Sequence, residues 1–258
     1  MYRIRYVVVL LLVCLLCVSS FAQDKPGTKS KSAVTKDVDP LALDVLKAVT
    51  QPIEQAQAFS FKALVSEEQL ATNGQIVTSF HTTEIMVQRP DKVHLMFKGR
   101  GERVDFYGTN GSITMYAPDV KLYTTVPAKA TIDDNLADIS AKGIDMPVGP
   151  FLSSHLYELA SKDLITGYVI GRVKIYEHDV HQLAFTSPDV DWQLWVTGGE
   201  TPRIVRAESV NKKLEGKPRT IVQFLDWNLS PTISADEFTF TKPADAQQID
   251  MLMPKGGK

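Results

Sequence analysis

The spacing of apolar residues changes along the chain from helical to strand-like. After Asp39-Pro40, a pair typical of a helix start, apolar residues recur every three or four positions and predict a first helix. Its apolar side consists of Leu41, Val45, Leu46 and Val49. Pro52 is expected to end or kink this helix, because proline has no backbone N–H to donate. From Phe59 onward the period is two, which is typical of β-strands.

Turn residues divide the period-two regions into about eleven strands. Asn73-Gly74 lies between the first two strands and is a strong hairpin signal. The strands predicted in the first half are 59–70, 75–88, 93–97, 103–107, 112–117 and 121–126. Those predicted in the second half are 169–177, 182–186, 191–197, 203–211, 219–227 and 238–240. Because short turns join them, neighbouring strands are expected to pair antiparallel.

A helical insertion separates the two groups of strands. Thr131 is a typical N-cap for a helix over 131–142, and a second helix is predicted over 151–160. A loop rich in glycine and proline, 143–150, joins them. We therefore expect a mainly β (α+β) protein. Its single strongly curved antiparallel sheet, a half-barrel, would have its concave apolar face covered by these short helices.

The first 22 residues have the features of an export signal. Arg3 and Arg5 precede the apolar run 7–18, and Ser20-Phe21-Ala22 is a site that a signal peptidase accepts. We expect cleavage after Ala22 and a periplasmic protein. An uncleaved membrane anchor is the alternative, but the run is shorter than the roughly 20 residues that cross a bilayer.

Composition narrows the classes of protein further. Cys14 and Cys17 both lie in the signal, so the mature chain is expected to have neither a disulfide nor a cysteine nucleophile. The formal net charge is −2 and the sequence has no basic stripe, so nucleic acid is not an expected partner. Residues 23–38 are poor in apolar side chains and are predicted to be a disordered leader, and 251–258 a flexible tail. The folded domain is expected over 39–250.

Three groups of polar residues resemble reactive sites, but each has a simpler structural explanation. His178 and His181 are three residues apart, so on a strand their imidazoles face opposite ways and metal binding is not expected. The cluster Ser153-Ser154-His155 has no evident carboxylate to complete a nucleophile. Asp189 and Asp191 fit a proline-containing turn. We therefore expect no enzyme activity, no metal and no cofactor.

Several short motifs of the mature chain resemble one known family. They are FSFKA before the Asn-Gly hairpin, VQRPDKV at the end of a strand, YGTNGSITMY and the closing FTFTKPADA. Together they resemble the periplasmic outer-membrane lipoprotein carriers and their receptors, the LolA/LolB-like superfamily. The stretch HQLAFTSPDVDWQLWV is more similar to an uncharacterised branch of predicted periplasmic proteins in that superfamily. The resemblance implies an open half-barrel whose helices form a lid over a hydrophobic cavity.

The resemblance also implies a role for Arg89. In the carriers, the arginine of the Arg-Pro motif binds backbone carbonyls of the lid helices and holds the empty cavity closed. Here that position is Arg89, and a guanidinium has five N–H donors with which to bridge several carbonyls. The alternative is a surface arginine fixed by the turn at Pro90-Asp91. The sequence departs from the family pattern at Val93, Leu95 and Asn110, so the cavity is expected to differ in size.

The leading hypothesis is a non-enzymatic carrier or binding protein for a lipid, an acylated protein or another amphiphile. An envelope sensor or scaffold that binds a protein partner with the same half-barrel is the alternative. The residues expected to line the ligand site follow the apolar phase of the strands: Ile85, Val87, Leu95, Phe97, Phe106, Met115, Leu122, Phe185 and Leu194. A shift of one residue in that phase would move all of them to the other face.

Overall fold

Strands make up most of the chain in the computed structural model, which describes residues 36–99, 101–109 and 111–250. The strands are β1 Asp37–Val38, β2 Ala58–Leu70, β3 Ile76–Gln88, β4 Lys92–Gly99, β5 Glu102–Thr109, β6 Ser112–Ala117, β7 Leu122–Pro127, β8 Thr166–Ile175, β9 His178–Thr186, β10 Val190–Thr197, β11 Ile204–Asn211, β12 Arg219–Asn228 and β13 Gln247–Gln248. The helices are α1 Pro40–Gln55, α2 Ile132–Ala141 and α3 Leu156–Ser161, with 3-10 helices at Gly149–Leu152 and Ala235–Phe238. The predicted signal 1–22, the leader 23–35 and the tail 251–258 lie outside the described residues.

In the described ranges these strands form one curved, unclosed sheet in the order β1-β8-β9-β10-β11-β12-β2-β3-β4-β5-β6-β7-β13. The strands from β2 to β12 pair antiparallel, which confirms the predicted mainly β half-barrel. The count is 13 and not about eleven. The two further strands, β1 and β13, have two residues each and pair parallel at the ends of the sheet. Two residues are too few to show a strand period.

The strand order determines where the helices must lie. β7 and β8 follow one another in the chain but lie near opposite ends of the sheet. The segment between them therefore crosses the sheet, and it contains α2, the 3-10 helix Gly149–Leu152 and α3. We call these elements, together with α1, the helical cover. The face of the sheet that they cover is the inner face, and the opposite one is the outer face.

Helix α1 supplies the largest apolar surface of the cover. The Asp39 side chain accepts a hydrogen bond from the Leu41 backbone N–H (2.9 Å), which caps the helix start as predicted. Four residues at helical spacing are buried against the sheet: Ala42, Leu46, Val49 and Ile53. Leu41 was predicted to lie on the apolar side of the helix, and this was wrong, because its side chain is 57% exposed. Pro52 does not end the helix, which continues to Gln55 and buries Ile53 in its last turn.

Three other segments differ from the sequence predictions. Asp37 and Val38 were assigned to the disordered leader, but they pair with β8, and Val38 packs against the core. The helix predicted over 151–160 is divided into the 3-10 helix and α3, with Ser153 in an extended conformation between them. The strand predicted over 238–240 is absent. Phe238 ends a 3-10 helix, and Phe240 instead packs among tyrosines of the outer face.

Two phenylalanines of the central hairpin test how the inner face contributes to stability. Phe61 is 1% exposed beneath the cover, whereas Phe80 is 60% exposed on the outer face. Phe61→Ala leaves a cavity and should lower the free energy of unfolding by about 3–5 kcal/mol. Phe80→Ala should change it by less than about 0.5 kcal/mol. Equal losses for the two variants in urea unfolding would contradict this assignment of faces.

Candidate functional site

The turn between β3 and β4 is the point at which the sheet contacts the helical cover through polar bonds. The Arg89 guanidinium donates four hydrogen bonds to backbone carbonyl oxygens: to Ala56 (3.2 Å), Leu152 (2.7 Å), Ile53 (3.4 Å) and Ser153 (3.1 Å). The carbonyl of Pro90 accepts a hydrogen bond from the N–H of Ile132, at the start of α2 (2.8 Å). One turn therefore binds the end of α1, the start of α2 and the segment before α3.

The end of α1 explains why an arginine is suitable at this position. The last carbonyls of a helix have no partner within it, and they form the negative end of the helix dipole. Helix α1 has no basic residue in its own last turn. Arg89 supplies the missing donors and positive charge from a distant part of the chain, and its guanidinium also lies 5.2 Å from the centre of the Phe59 ring.

Two carboxylates hold the first turn of α3 and the segment that precedes it. Asp133, in the first turn of α2, accepts hydrogen bonds from the Ser153 hydroxyl (2.7 Å), the Ser154 N–H (3.0 Å) and the Ser154 hydroxyl (2.7 Å). Glu54 of α1 accepts one from the N–H of Tyr157 (2.5 Å). Since the His155 side chain makes no capping hydrogen bond, Glu54 provides the cap for α3.

The charges in this network depend on one another. Burial lowers the pKa of Arg89, and the carboxylates of Asp133 and Glu54 partly oppose that effect. Burial would raise the pKa of Asp133, but the hydrogen bonds from Ser153 and Ser154 and the charge of Arg89 outweigh it, so the pKa of Asp133 is lowered. The Arg89 guanidinium is therefore coupled electrostatically to the side chains of Asp133 and Glu54.

A cleft of about 530 Å³ lies between the helical cover and the strands β10 to β12. Its walls are Leu46 of α1, the segment from Asp145 to Phe151, α3, and the inner face of the strands. Apolar side chains on the sheet side include Trp192, Leu194, Ile204 and Val222. The volume lies within the roughly 300–1,000 Å³ that is usual for small-molecule sites.

Comparison with known proteins gives the chain a family. Residues 42–252 match the family described as "Predicted periplasmic protein (DUF2092)". The chain belongs to this family. The expectation of a branch of predicted periplasmic proteins is thereby confirmed. No curated protein matches the chain.

Solved structures similar to this DUF2092 protein include two mycobacterial ones. LprF from Mycobacterium bovis is 16% identical, with 81% of this chain and 99% of that chain covered and a TM-score of 0.49. The lipoprotein LppX from Mycobacterium tuberculosis is 12% identical, with 76% and 100% covered and a TM-score of 0.48. A LolA superfamily protein from Nitrosomonas europaea is 11% identical, with 77% and 97% covered and a TM-score of 0.33.

The register places all nine predicted lining residues of the DUF2092 chain on the inner face. Directly opposed residues of antiparallel strands share a face. One such row crosses five strands and comprises Phe61, Ile85, Leu95, Phe106 and Met115. The other predicted residues belong to the same face through their own opposed partners: Val87 with Val93, Phe97 with Val104, Leu122 with Ala117, Phe185 with Trp192, and Leu194 with Leu183.

The nine residues do not all reach the cleft. Leu194 lines it, whereas Ile85, Val87, Leu95 and Phe185 are buried in the core beneath the cover. Phe97 and Phe106 are half-buried against that core, and Met115 and Leu122 lie further towards the β7 end. Ligand binding by these residues, and the role of Arg89 as a latch, stay predictions.

The sequence did not single out several residues that build this site. The wall residues Ile204, Ala207 and Val222 fit the strand period, so their phase was available, but nothing local shows where the cover leaves a gap. Asp133 and Glu54 stand far from their partners in the chain. Only the spatial arrangement of the helices brings these groups together.

Ser153, Asp189 and Asp191, which were considered for chemistry, have structural partners. The Ser153 hydroxyl donates to Asp133 and accepts from the backbone N–H of His155 (3.0 Å). Asp189 and Asp191 form ion pairs with the neighbouring Lys213 and Lys212 (2.7 Å each). Within the described part of the chain, no group of three or more metal-ligating side chains is present. No helix in that part is both long and apolar enough to span a bilayer.

Removal of the Arg89 guanidinium should open the helical cover. Arg89→Leu leaves four carbonyls of the cover without their donor, so the variant should bind a hydrophobic dye several-fold more strongly than the wild-type protein. Arg89→Lys keeps the charge but lacks the planar fork, and an intermediate increase is expected. Arg172→Leu, at an exposed position of β8, controls for the loss of charge. Equal dye binding by Arg89→Leu and Arg172→Leu would refute the role as a latch.

The Asp133 network should depend on pH with a defined sign. A carboxyl whose pKa is lowered on folding stabilises the fold above its unfolded pKa of about 3.9, and the contribution is lost as the pH falls through the lower folded value. Asp133→Asn should therefore lower the urea midpoint at neutral pH, and the difference from wild type should shrink below about pH 4. Asp44→Asn, on the exposed side of α1, should leave the neutral midpoint unchanged. A constant difference at all pH values would exclude ionised Asp133 as the cause.

Proposed function

We propose that the protein is a non-enzymatic periplasmic carrier or binding protein for a lipid, an acylated protein or another amphiphile. The cleft between the helical cover and the sheet is the observation that carries this proposal. Its sheet wall carries the apolar side chains of Trp192, Leu194, Ile204 and Val222 beside the polar Ser209 and Thr220, and its volume suits a single acyl chain or a ligand of similar size. Such a surface gains free energy when an apolar chain replaces water.

The two parts of the helical cover are attached to the sheet in different ways. Helix α1 contacts the sheet through a continuous buried stripe from Ala42 to Ile53. The segment that carries the 3-10 helix and α3 buries Phe151, Leu152 and Leu156 in the same core. Polar bonds from Arg89, Asp133 and Glu54 also hold it. This segment is also a wall of the cleft, so its displacement would widen the site without removal of α1.

The inner face continues beyond the cleft towards β3 and β4. Ile85, Leu95 and Phe106 follow one another in a single row, and the helical cover buries this row in the closed form. A cover that moved aside would join this row to the cleft and extend the apolar site for a longer chain. Leu194 would then contact the ligand in the cleft, and Ile85, Leu95 and Phe106 would contact the extension of a longer chain.

Native mass spectrometry of the protein from a periplasmic extract tests this proposal. A retained mass that organic solvent extracts as lipid is expected. Ala207→Phe fills the cleft from the inner face of β11 and should abolish the retained mass. Ala184→Phe makes the same change on the outer face of β9 and should retain it, since Ala184 is opposed to Gln193 and therefore faces away from Leu194.

The outcomes of this experiment separate the two candidate functions. Lipid retained by the wild type and by Ala184→Phe, but lost from Ala207→Phe, assigns the binding to the cleft. A co-purifying polypeptide at fixed stoichiometry without lipid would overturn the carrier proposal in favour of a scaffold. A bare protein mass from several expression levels would also count against a carrier.

A further inference from the structure

The cleft has an open end and a closed end. On the sheet side it runs along three successive levels of the inner face, since residues two apart on a strand share a face. The three levels are the opposed pairs Trp192–Ser209, Leu194–Ala207 and Val196–Ile204. The exposed residues Pro188 and Asp189, which precede β10, line the cleft at the first level. At the third level Ile204 is only 1% exposed. An apolar chain would therefore enter at Trp192 and end at Ile204.

Phe151 closes the deep end of the cleft. It belongs to the 3-10 helix Gly149–Leu152, lines the cleft and is 8% exposed. Its ring meets the ring of Phe224 edge-on, with 4.7 Å between the centroids and 72° between the planes. Phe224 follows the cleft residue Val222 by two positions on β12 and so lies one level deeper on the same face. Phe151 and Phe224 thus span the space between the helical cover and the sheet, and we call this pair the end wall.

The apolar inner face continues behind the end wall. The Phe224 ring packs on the ring of Phe61, with 5.4 Å between the centroids. Phe61 is opposed to Ile85, in the row that runs on to Phe106. The Phe151 ring therefore separates two apolar regions of one face, the cleft in front of it and the buried row behind it.

Hydrogen bonds on both sides of Phe151 hold it at this point. The carbonyls of the next two residues, Leu152 and Ser153, accept hydrogen bonds from the Arg89 guanidinium (2.7 and 3.1 Å). The Phe151 N–H donates to the carbonyl of Val148 (3.2 Å). The ring can consequently leave Phe224 only by a change of its own rotamer or by the breaking of these bonds.

We infer that Phe151 determines the length of the apolar chain that the closed protein accepts. This inference rests on the proposed function and adds the specificity of the same cleft. The path from Trp192 to Val196 covers four residues of β10, which is about 13 Å at a rise of about 3.3 Å per residue. An extended carbon chain advances about 1.2 Å per bond, so on the order of ten carbons fit in front of the end wall. A longer chain must leave methylenes in water or displace the Phe151 ring.

A series of uncharged amphiphiles that differ only in chain length tests this inference. Octyl, decyl, dodecyl and tetradecyl maltoside, each below its micelle concentration, are titrated into the mature protein in a calorimeter. The affinity of the wild type should rise about fourfold per methylene from octyl to decyl, and by less than about twofold in total from dodecyl to tetradecyl. Phe151→Ala removes the cover side of the end wall, so its affinity should still rise about tenfold from dodecyl to tetradecyl.

Phe80→Ala is the matched control, because it makes the same change on the outer face, where Phe80 is 60% exposed. It should keep the wild-type plateau. Phe151→Leu keeps an apolar side chain in the end wall and should move the plateau in the same direction by a smaller amount, so it tests the inference if Phe151→Ala fails to fold.

The possible results separate this inference from the proposed function. A continued rise in the wild type, an unchanged plateau in the Phe151 variants, or an equal shift in Phe80→Ala would overturn the role of Phe151 while the carrier proposal stands. Failure of every maltoside to bind the wild-type protein would instead refute the amphiphile site itself.

Discussion

The hydrogen bonds between the Arg89 guanidinium and four backbone carbonyls join the two layers of this protein. A sheet and a helix can always be joined by apolar contact, but apolar contact has no direction and does not fix where a helix ends. Arg89 fixes that end, because it satisfies the free carbonyls of α1 and reaches Leu152 and Ser153 at the same time. Its charge is in turn balanced by Asp133 and Glu54, which bind the same segment from the other side.

The need for a hydrogen-bonded link between the sheet and the helical cover follows from the topology. β12 pairs with β2 in the middle of the sheet, so β7 and β8 are left near opposite ends. The chain must return across the inner face between them, and a crossing segment of this length cannot remain extended without unpaired backbone groups. It folds into α2, a 3-10 helix and α3, which satisfy those groups locally. The segment buries Ile132, Leu152 and Leu156 in the core, and the bonds from Arg89 fix its position relative to the sheet.

Much of the fold could be predicted from the sequence because its determinants are local. The period of two located every strand of more than two residues, and its phase placed residues as distant as Ile85 and Leu194 on the same face. Arg89 was identified through the family resemblance, since no local pattern shows which carbonyls a side chain will reach. Asp133 and Glu54 were missed for the same reason. Phe238 and Phe240 were misassigned because alternation alone cannot distinguish a strand from a segment that packs across the outer tyrosines.

The position of the cleft also follows from what covers each half of the inner face. The row from Phe61 to Phe106 crosses the middle of the sheet and packs into the core, so the space there is filled by side chains. Over β10 to β12 the cover is the short α3 and a loop rich in proline and glycine, which pack less closely and leave about 530 Å³. The loop packs closely on itself at Gly149, where an added Cβ would lie 3.3 Å from Met146. The cleft therefore lies where a loop and a single short helix form the cover, and Trp192 and Leu194 are part of its sheet side.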